Sequence, residues 1–130
     1  MNRPRECVGN DMDFVEIKEK ILKFRDERDW KQFHDPKNLA EGIVIEASEL
    51  LENFLWKTTE QSRNPSLASS KNIQEEISDI FIYLIYLCEE FNLDLFKVTQ
   101  EKIEINRKKY PIDKSRSNST KYNAFESDIE

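Results

Sequence analysis

Apolar residues recur along this chain at intervals of three and four, the mark of helices that each bury one face. From Asp11 or Asp13, either able to cap, Phe14, Ile17, Ile21, Leu22 and Phe24 keep that spacing and predict a first helix over about 11–29. The pattern breaks at Trp30-Lys-Gln-Phe33-His34-Asp35-Pro36, a connection unusually apolar for a surface loop and the holder of the only histidine. A second helix is predicted over about 38–56, with Asn38 as its cap and Glu41 returning the bond in a capping-box-like pair. Leu39, Ile43, Val44, Ala47, Leu50, Leu51, Phe54 and Leu55 form its core face, with Glu41, Ser48 and Glu52 opposite. The Thr, Ser, Asn and Pro of Lys57 to Ser70 read as the longest internal loop, mobile and variable. A third helix over about 71–91 loses its polar face after Asp79, because Ile80 to Cys88 is apolar without interruption. A helix apolar all round is buried all round, so this one belongs at the centre of the fold or at a subunit interface. Asn92 stops it, and Asp94 opens a fourth helix over about 94–110, ended by Pro111, with Lys102, Asn106 and Lys109 on one stripe.

Composition narrows the class. Gly9 and Gly42 are the only glycines, which suits long helices and an all-α fold rather than turn-rich sheet. With 130 residues the chain makes one domain, placed at 11–113, between a flexible arm at 1–10 and a flexible tail at 114–130. The net charge of −6, from 20 basic and 26 acidic residues, argues against a sequence-independent nucleic-acid coat, which needs a basic surface. Cys7 and Cys88 are too few for a disulfide framework or a zinc site, and fit a reducing, cytoplasmic setting. The run Ile80 to Cys88 is far short of the roughly 20 residues that cross a bilayer, so no membrane partner is expected.

Two acidic signatures stand out against this background: Glu46-Ala-Ser-Glu49 in the second helix and Glu76-Ile-Ser-Asp79 in the third. With about 100° of rotation per residue, Glu46 lies about 20° from Leu39 and about 40° from Leu50, at the border of the apolar stripe. Glu76 and Asp79 border a surface of Ile73, Ile77, Ile80 and Leu84 in the same way. Two antiparallel helices meeting there bring four carboxylates together. Burying such charges uncompensated costs several kcal/mol per ion, and a hard divalent cation, Mg²⁺ above all, is the natural answer.

Both signatures, in this order, resemble the metal-binding pattern of the all-α nucleoside triphosphate pyrophosphohydrolases, the superfamily of MazG-like enzymes and dimeric dUTPases. Glu27-Arg-Asp-Trp30-Lys-Gln-Phe33-His34, Phe54-Leu-Trp56-Lys57-Thr58, Gln74 to Leu84 and Ile105-Asn106-Arg-Lys-Lys-Tyr110-Pro111 are similar to the dCTP pyrophosphatase branch, over roughly Phe24 to Tyr122. The resemblance implies a four-helix bundle, assembled as a tetramer built from dimers. It implies hydrolysis of a deoxynucleoside triphosphate, chiefly dCTP or a modified dCTP, to the monophosphate and pyrophosphate. Glu46, Glu49, Glu76 and Asp79 match the magnesium ligands of that family. Lys102 and Asn106, with Lys109, resemble its phosphate contacts, and Trp30, His34 and Trp56 the residues that enclose base and sugar. Tyr83, one turn beyond Asp79, is placed against the sugar. One departure is Ile21, where some relatives carry histidine; it bears on base preference. Among the acids Glu49 is the candidate catalytic base, since it lies about 60° from Glu46 and away from the apolar stripe.

Blander readings accompany these. Trp30, Trp56 and Tyr83 can close a core, His34 can serve a loop hydrogen bond, and Lys102 and Lys109 can favour a helix C-terminus. A di-iron bundle needs Glu-x-x-His pairs, which the single His34 does not supply. The remaining alternative is a non-enzymatic oligomeric helical module.

Overall fold

A computed structural model describes residues 12–122, and among them it contains helices and no strand. The expected arm at 1–10 and the acidic end at 123–130 lie outside the described residues. The chain divides between Asn92 and Leu93 into two compact units.

In the first unit, α1 spans Phe14–Glu27 and is capped by Asp13, whose carboxylate accepts from the Glu16 N–H at 2.9 Å. It stops short of the predicted Asp29 because Asp29 turns left-handed (φ 52°). The Trp30 N–H then donates to the Arg25 carbonyl and the Asp29 N–H to the Asp26 carbonyl, each at 3.1 Å, which is the Schellman ending with Asp in place of glycine. This reversal brings Trp30 back onto Phe24, ring centroids 5.6 Å apart. A short 3-10 turn, Lys31–Phe33, leads to His34.

Helix α2 spans Pro36–Glu52, which corrects both expected ends. The cap is Asp35, accepting from the Asn38 N–H at 2.8 Å, with Pro36 in the first turn, where its missing N–H costs nothing. Asn38 is inside the helix and its amide donates back to Asp35 at 2.7 Å. The far end comes at Glu52 rather than Trp56, because the Asn53 side chain donates to the carbonyls of Glu49 and Leu50 and competes with further helix. The 57–70 segment is not the featureless loop expected. Thr58 and Gln61 form a reciprocal capping box on α3 (Thr59–Ser62), Asn64 caps a 3-10 turn over Pro65–Ser69, and Ser70 caps the next helix. Its polar residues satisfy helix ends.

That next helix, α4 (Lys71–Glu90), runs antiparallel to α2, since partners climb one helix as they descend the other. Asn53 meets Asn72 at 2.8 Å, Glu46 meets Glu76, and Gly42 meets Tyr83. Helix α1 also packs on α4, through an edge-to-face pair of Phe14 and Phe81 and an ion pair of Lys18 and Glu89 at 3.3 Å. That pair is too exposed to add much stability. Within this chain only Ile85 and Tyr86 of the run Ile80 to Cys88 are buried and the rest are half-buried, short of the all-round burial expected, while Asn92 (φ 51°) ends the run as expected. Yet Val44, Leu51 and Leu55, and Ile77 on α4, are more than half exposed, so much of the core face expected for the second helix is uncovered within one chain.

The second unit holds α5 (Leu95–Lys109), capped by Asp94 through the Lys97 N–H at 3.1 Å, and α6 (Ile112–Ser115). The Tyr110 and Tyr122 rings meet edge-on, 6.0 Å apart. Helical order therefore continues to Ser115, past the boundary drawn at 113.

Candidate functional site

The antiparallel register of α2 and α4 brings Glu46, Glu49 and Glu76 together, one carboxylate oxygen from each lying within 4.8 Å of the others. Glu76 is buried, and Glu46 Oε2 and Glu76 Oε2 are enclosed with no hydrogen-bond donor of the protein to receive. Two carboxylates that face each other can share only a proton or a cation. Burial first, then the contact with Glu76 and the charges of Glu49 and Asp79, push Glu46 up to about 7. The donor set is all oxygen, clustered and anionic, which suits a hard divalent ion. Asp79 stands beside this trio, close enough to act on Glu46, and it is also part of the wall of an adjoining cavity.

That cavity, about 500 Å³, is enclosed by Lys20, Ile21 and Phe24 of α1, Trp30 and His34 of the connection, and Asp79, Ile82, Tyr83 and Tyr86 of α4. Its size is in the range of small-molecule sites, and aromatic rings dominate it. Phe24 and Trp30 form an edge-to-face pair, His34 stacks on Tyr86 with centroids 4.6 Å apart, and Tyr83 stands perpendicular to Tyr86 at 6.3 Å. The Tyr83 ring fits because position 42 is glycine. A Cβ there would come within 2.7 Å of Tyr83 Cε1. Burial, followed by the charges of Glu46, Asp79 and Glu49, raises the Tyr83 phenol above its ordinary value, so it stays a hydrogen-bond donor at neutral pH. Burial lowers the His34 pKa, Arg25 lowers it further, and Glu90 opposes them.

Of the sequence-predicted residues, Trp30, His34, Tyr83 and Asp79 line the cavity, and Glu46, Glu49 and Glu76 form the acidic trio. Trp56 does not join its own chain's cavity: α2 ends early, and the following turn leaves Trp56 91% exposed. Lys102, Asn106 and Lys109 belong to the second unit. There the Lys109 ammonium lies 4.8 Å from the centre of the Tyr122 ring. Lys20, Phe24, Ile82 and Tyr86 were missed as site residues. Ile82 and Tyr86 had a signal, since 79, 82, 83 and 86 share one face of α4. Lys20 and Phe24 had a weaker one, the 20, 21, 24 face of α1.

Fold and site together define an all-α protein that builds a carboxylate cluster across two antiparallel helices, beside an aromatic cavity. The chain belongs to the MazG-like family, whose model matches residues 42–125. Among curated proteins, dCTP pyrophosphatase 1 of Homo sapiens is 39% identical over 109 residues, 82% of this chain and 64% of that protein. The Bos taurus dCTP pyrophosphatase 1 is 40% identical over 110 residues, with the same coverage. The chain thus spans about 64% of the length of the curated relatives it matches. Among solved structures, a pyrophosphatase from Archaeoglobus fulgidus is similar with a TM-score of 0.69 and 39% identity, over 75% of this chain and 91% of that one. None of the described helices is long and apolar enough to cross a membrane.

Proposed function

We propose that this chain is a Mg²⁺-dependent nucleoside triphosphate pyrophosphohydrolase that prefers dCTP and modified dCTP, yielding the monophosphate and pyrophosphate. The observation that carries this reading is the adjacency of an oxygen-only acidic cluster and a cavity lined with flat rings, with Asp79 beside the first and in the wall of the second. A nucleoside triphosphate has both halves, an anionic chain that needs a cation and a planar base that needs stacking. The named activity of the dCTP pyrophosphatase 1 relatives supports the choice of nucleotide.

In this reading Glu46, Glu49, Glu76 and Asp79 would hold Mg²⁺, which would supply positive charge for the phosphates and a more acidic water. Glu49 takes the proton of the attacking water. An oxygen–phosphorus bond forms at the α-phosphorus, and the bond from that phosphorus to the α–β bridging oxygen breaks, so pyrophosphate leaves as one piece. Trp30 and His34 enclose the base, Tyr83 packs on the sugar, and Lys102, Asn106 and Lys109 hold phosphates. Trp56 can enclose a base only in the cavity of another copy, because it stands outside its own. A homo-oligomer, a tetramer built from dimers, covers the apolar residues that one chain leaves open, Trp56 among them. The free Cys88 thiol fits a reducing cytoplasm.

The test is a hydrolysis panel over the common nucleoside triphosphates with Mg²⁺, measuring pyrophosphate and phosphate separately. dCTP with pyrophosphate as product is the expected leader. Absence of nucleotide turnover in a folded, Mg²⁺-loaded protein would return the chain to a non-enzymatic helical module.

A further inference from the structure

Arg25 is an unusual residue to find inside a small helical unit. It is 4% exposed, always charged, and its single carboxylate partner is its neighbour Asp26, at 2.8 Å from Nε. The rest of the guanidinium faces inward. Nη1 is buried without a hydrogen-bond partner, and Cζ lies 6.0 Å from the centre of the Tyr86 ring, within cation–π range. Tyr86 in turn stacks on His34, and both rings line the cavity, whereas Arg25 does not. One turn beyond Tyr86 on α4, Glu90 has a buried carboxylate oxygen that is likewise unpartnered, and so does the His34 imidazole at Nδ1. Two buried groups of opposite charge, Arg25 and Glu90, thus accompany one stacked pair of rings. An unsatisfied buried cation is costly, and a packing role alone would be met better by an apolar side chain.

We propose that Arg25 is a positioning residue that sets base specificity: from behind the cavity wall it holds the Tyr86–His34 stack and, against Glu90, fixes the charge state in which His34 meets the base. The proposal deepens the nucleotide reading and rests on it for the identity of the ligand. An uncharged imidazole offers a lone pair as well as an N–H, and the lone pair can accept from the exocyclic amino group of cytosine. A charged imidazolium has donors only, and suits the carbonyl that uracil carries at the same position. Burial and then Arg25 lower the His34 pKa, favouring the uncharged ring, and Glu90 pulls the other way. The other charged groups on the cavity wall are Lys20 and Asp79, and the neutral phenol of Tyr86 lies against the ring.

His34 is the only histidine in the chain, so its imidazole resonances can be titrated by NMR without assignment. In the full, tag-free protein, Arg25→Met should raise the His34 pKa, Glu90→Gln should lower it, and Arg25→Lys should stay near the parent. For turnover, the ratio of kcat/KM for dCTP to that for dUTP should fall less in the parent than in Arg25→Met between pH 8 and pH 6. In Arg25→Met it should fall about tenfold over that range, the worth of one hydrogen bond, mostly through KM. A role limited to packing predicts a lower melting temperature with an unmoved His34 titration and an unmoved ratio, and that result overturns the proposal. If Arg25→Met fails to fold, Glu90→Gln decides alone, since an unchanged His34 titration there is equally fatal. Should the parent hydrolyse neither nucleotide, the nucleotide reading falls and the ratio with it, while the NMR titration still decides whether Arg25 governs His34.

Discussion

Replacing Gly42 with Ala sets two effects of known size against each other. Gly42 is inside α2, where glycine is about 1 kcal/mol worse than alanine, so propensity alone predicts that Gly42→Ala stabilises the protein. The tertiary contact predicts the reverse. The added Cβ would stand 2.7 Å from Tyr83 Cε1 and 3.0 Å from Cδ1 and Cζ, whereas carbon atoms rest about 3.5–4.0 Å apart. The ring must retreat by roughly 1 Å, and it is a rigid ring already set perpendicular to Tyr86. Overpacking of this kind costs about 1–3 kcal/mol, so the net change is a loss of up to about 2 kcal/mol, seen as a drop of several degrees in Tm. Because Tyr83 is a cavity wall, the displacement should also raise KM for dCTP by about ten- to a hundredfold, the upper figure being the penalty for misplacing a site group by about an ångström. Thermal melting and steady-state kinetics on the same preparation check both. A higher melting temperature with unchanged KM would show that the helices separate freely at this point and would refute the close approach.

Three further outcomes follow from the acidic cluster and the aromatic wall. Glu46 carries a raised pKa of about 7, so without metal the folded state binds a proton that the unfolded chain has released, and stability should fall as pH rises from about 4.5 to 7. After discounting for solvent screening this amounts to about 1–2 kcal/mol; the lowered pKa of His34 acts with the opposite sign, so the comparison is with Glu46→Gln, melted in EDTA across that range, and equal slopes would exclude the effect. Glu49→Gln should keep near-native Mg²⁺ and dCTP affinity but turn over at least about a hundredfold more slowly, whereas Glu46→Gln and Asp79→Asn should lose Mg²⁺-dependent binding in calorimetry. Near-parental activity of Glu49→Gln would remove it from the base role. Trp30→Ala should raise KM for dCTP, while Trp56→Ala should weaken self-association in light scattering; kinetics unchanged by Trp30→Ala, with only Tm lowered, would return that residue to the core.

Much of the molecule was determined locally and was therefore legible in the sequence. Helical periodicity placed four long helices, Asp13, Asn92 and Asp94 acted as the caps and stop their side chains suggest, and acids at three-residue spacing inside apolar runs marked the clustered carboxylates. Capping and periodicity act over a single turn, so composition within a few residues suffices to read them. Where two local solutions compete, the pattern of residue types alone does not choose between them. Asp35 before a proline outcompeted Asn38 as a cap, Asn53 ended α2 ahead of Trp56, and the polar stretch at 57–70 spent its side chains on helix ends instead of solvent.

What only the tertiary structure decided are the contacts made across elements. Periodicity gives the face of a helix but not the depth at which it meets another, so the approach that admits Tyr83 beside Gly42 had no sequence signature. Nor does periodicity say what meets Arg25: its place one turn from Ile21 puts it on the apolar stripe of α1, but the Tyr86 ring it faces comes from α4, far along the chain, and carries the His34 stack. The cavity wall also uses a left-handed Asp29, a conformation open to Asp as well as Gly, and it is the packing of Trp30 back onto Phe24 that gives this local turn its use.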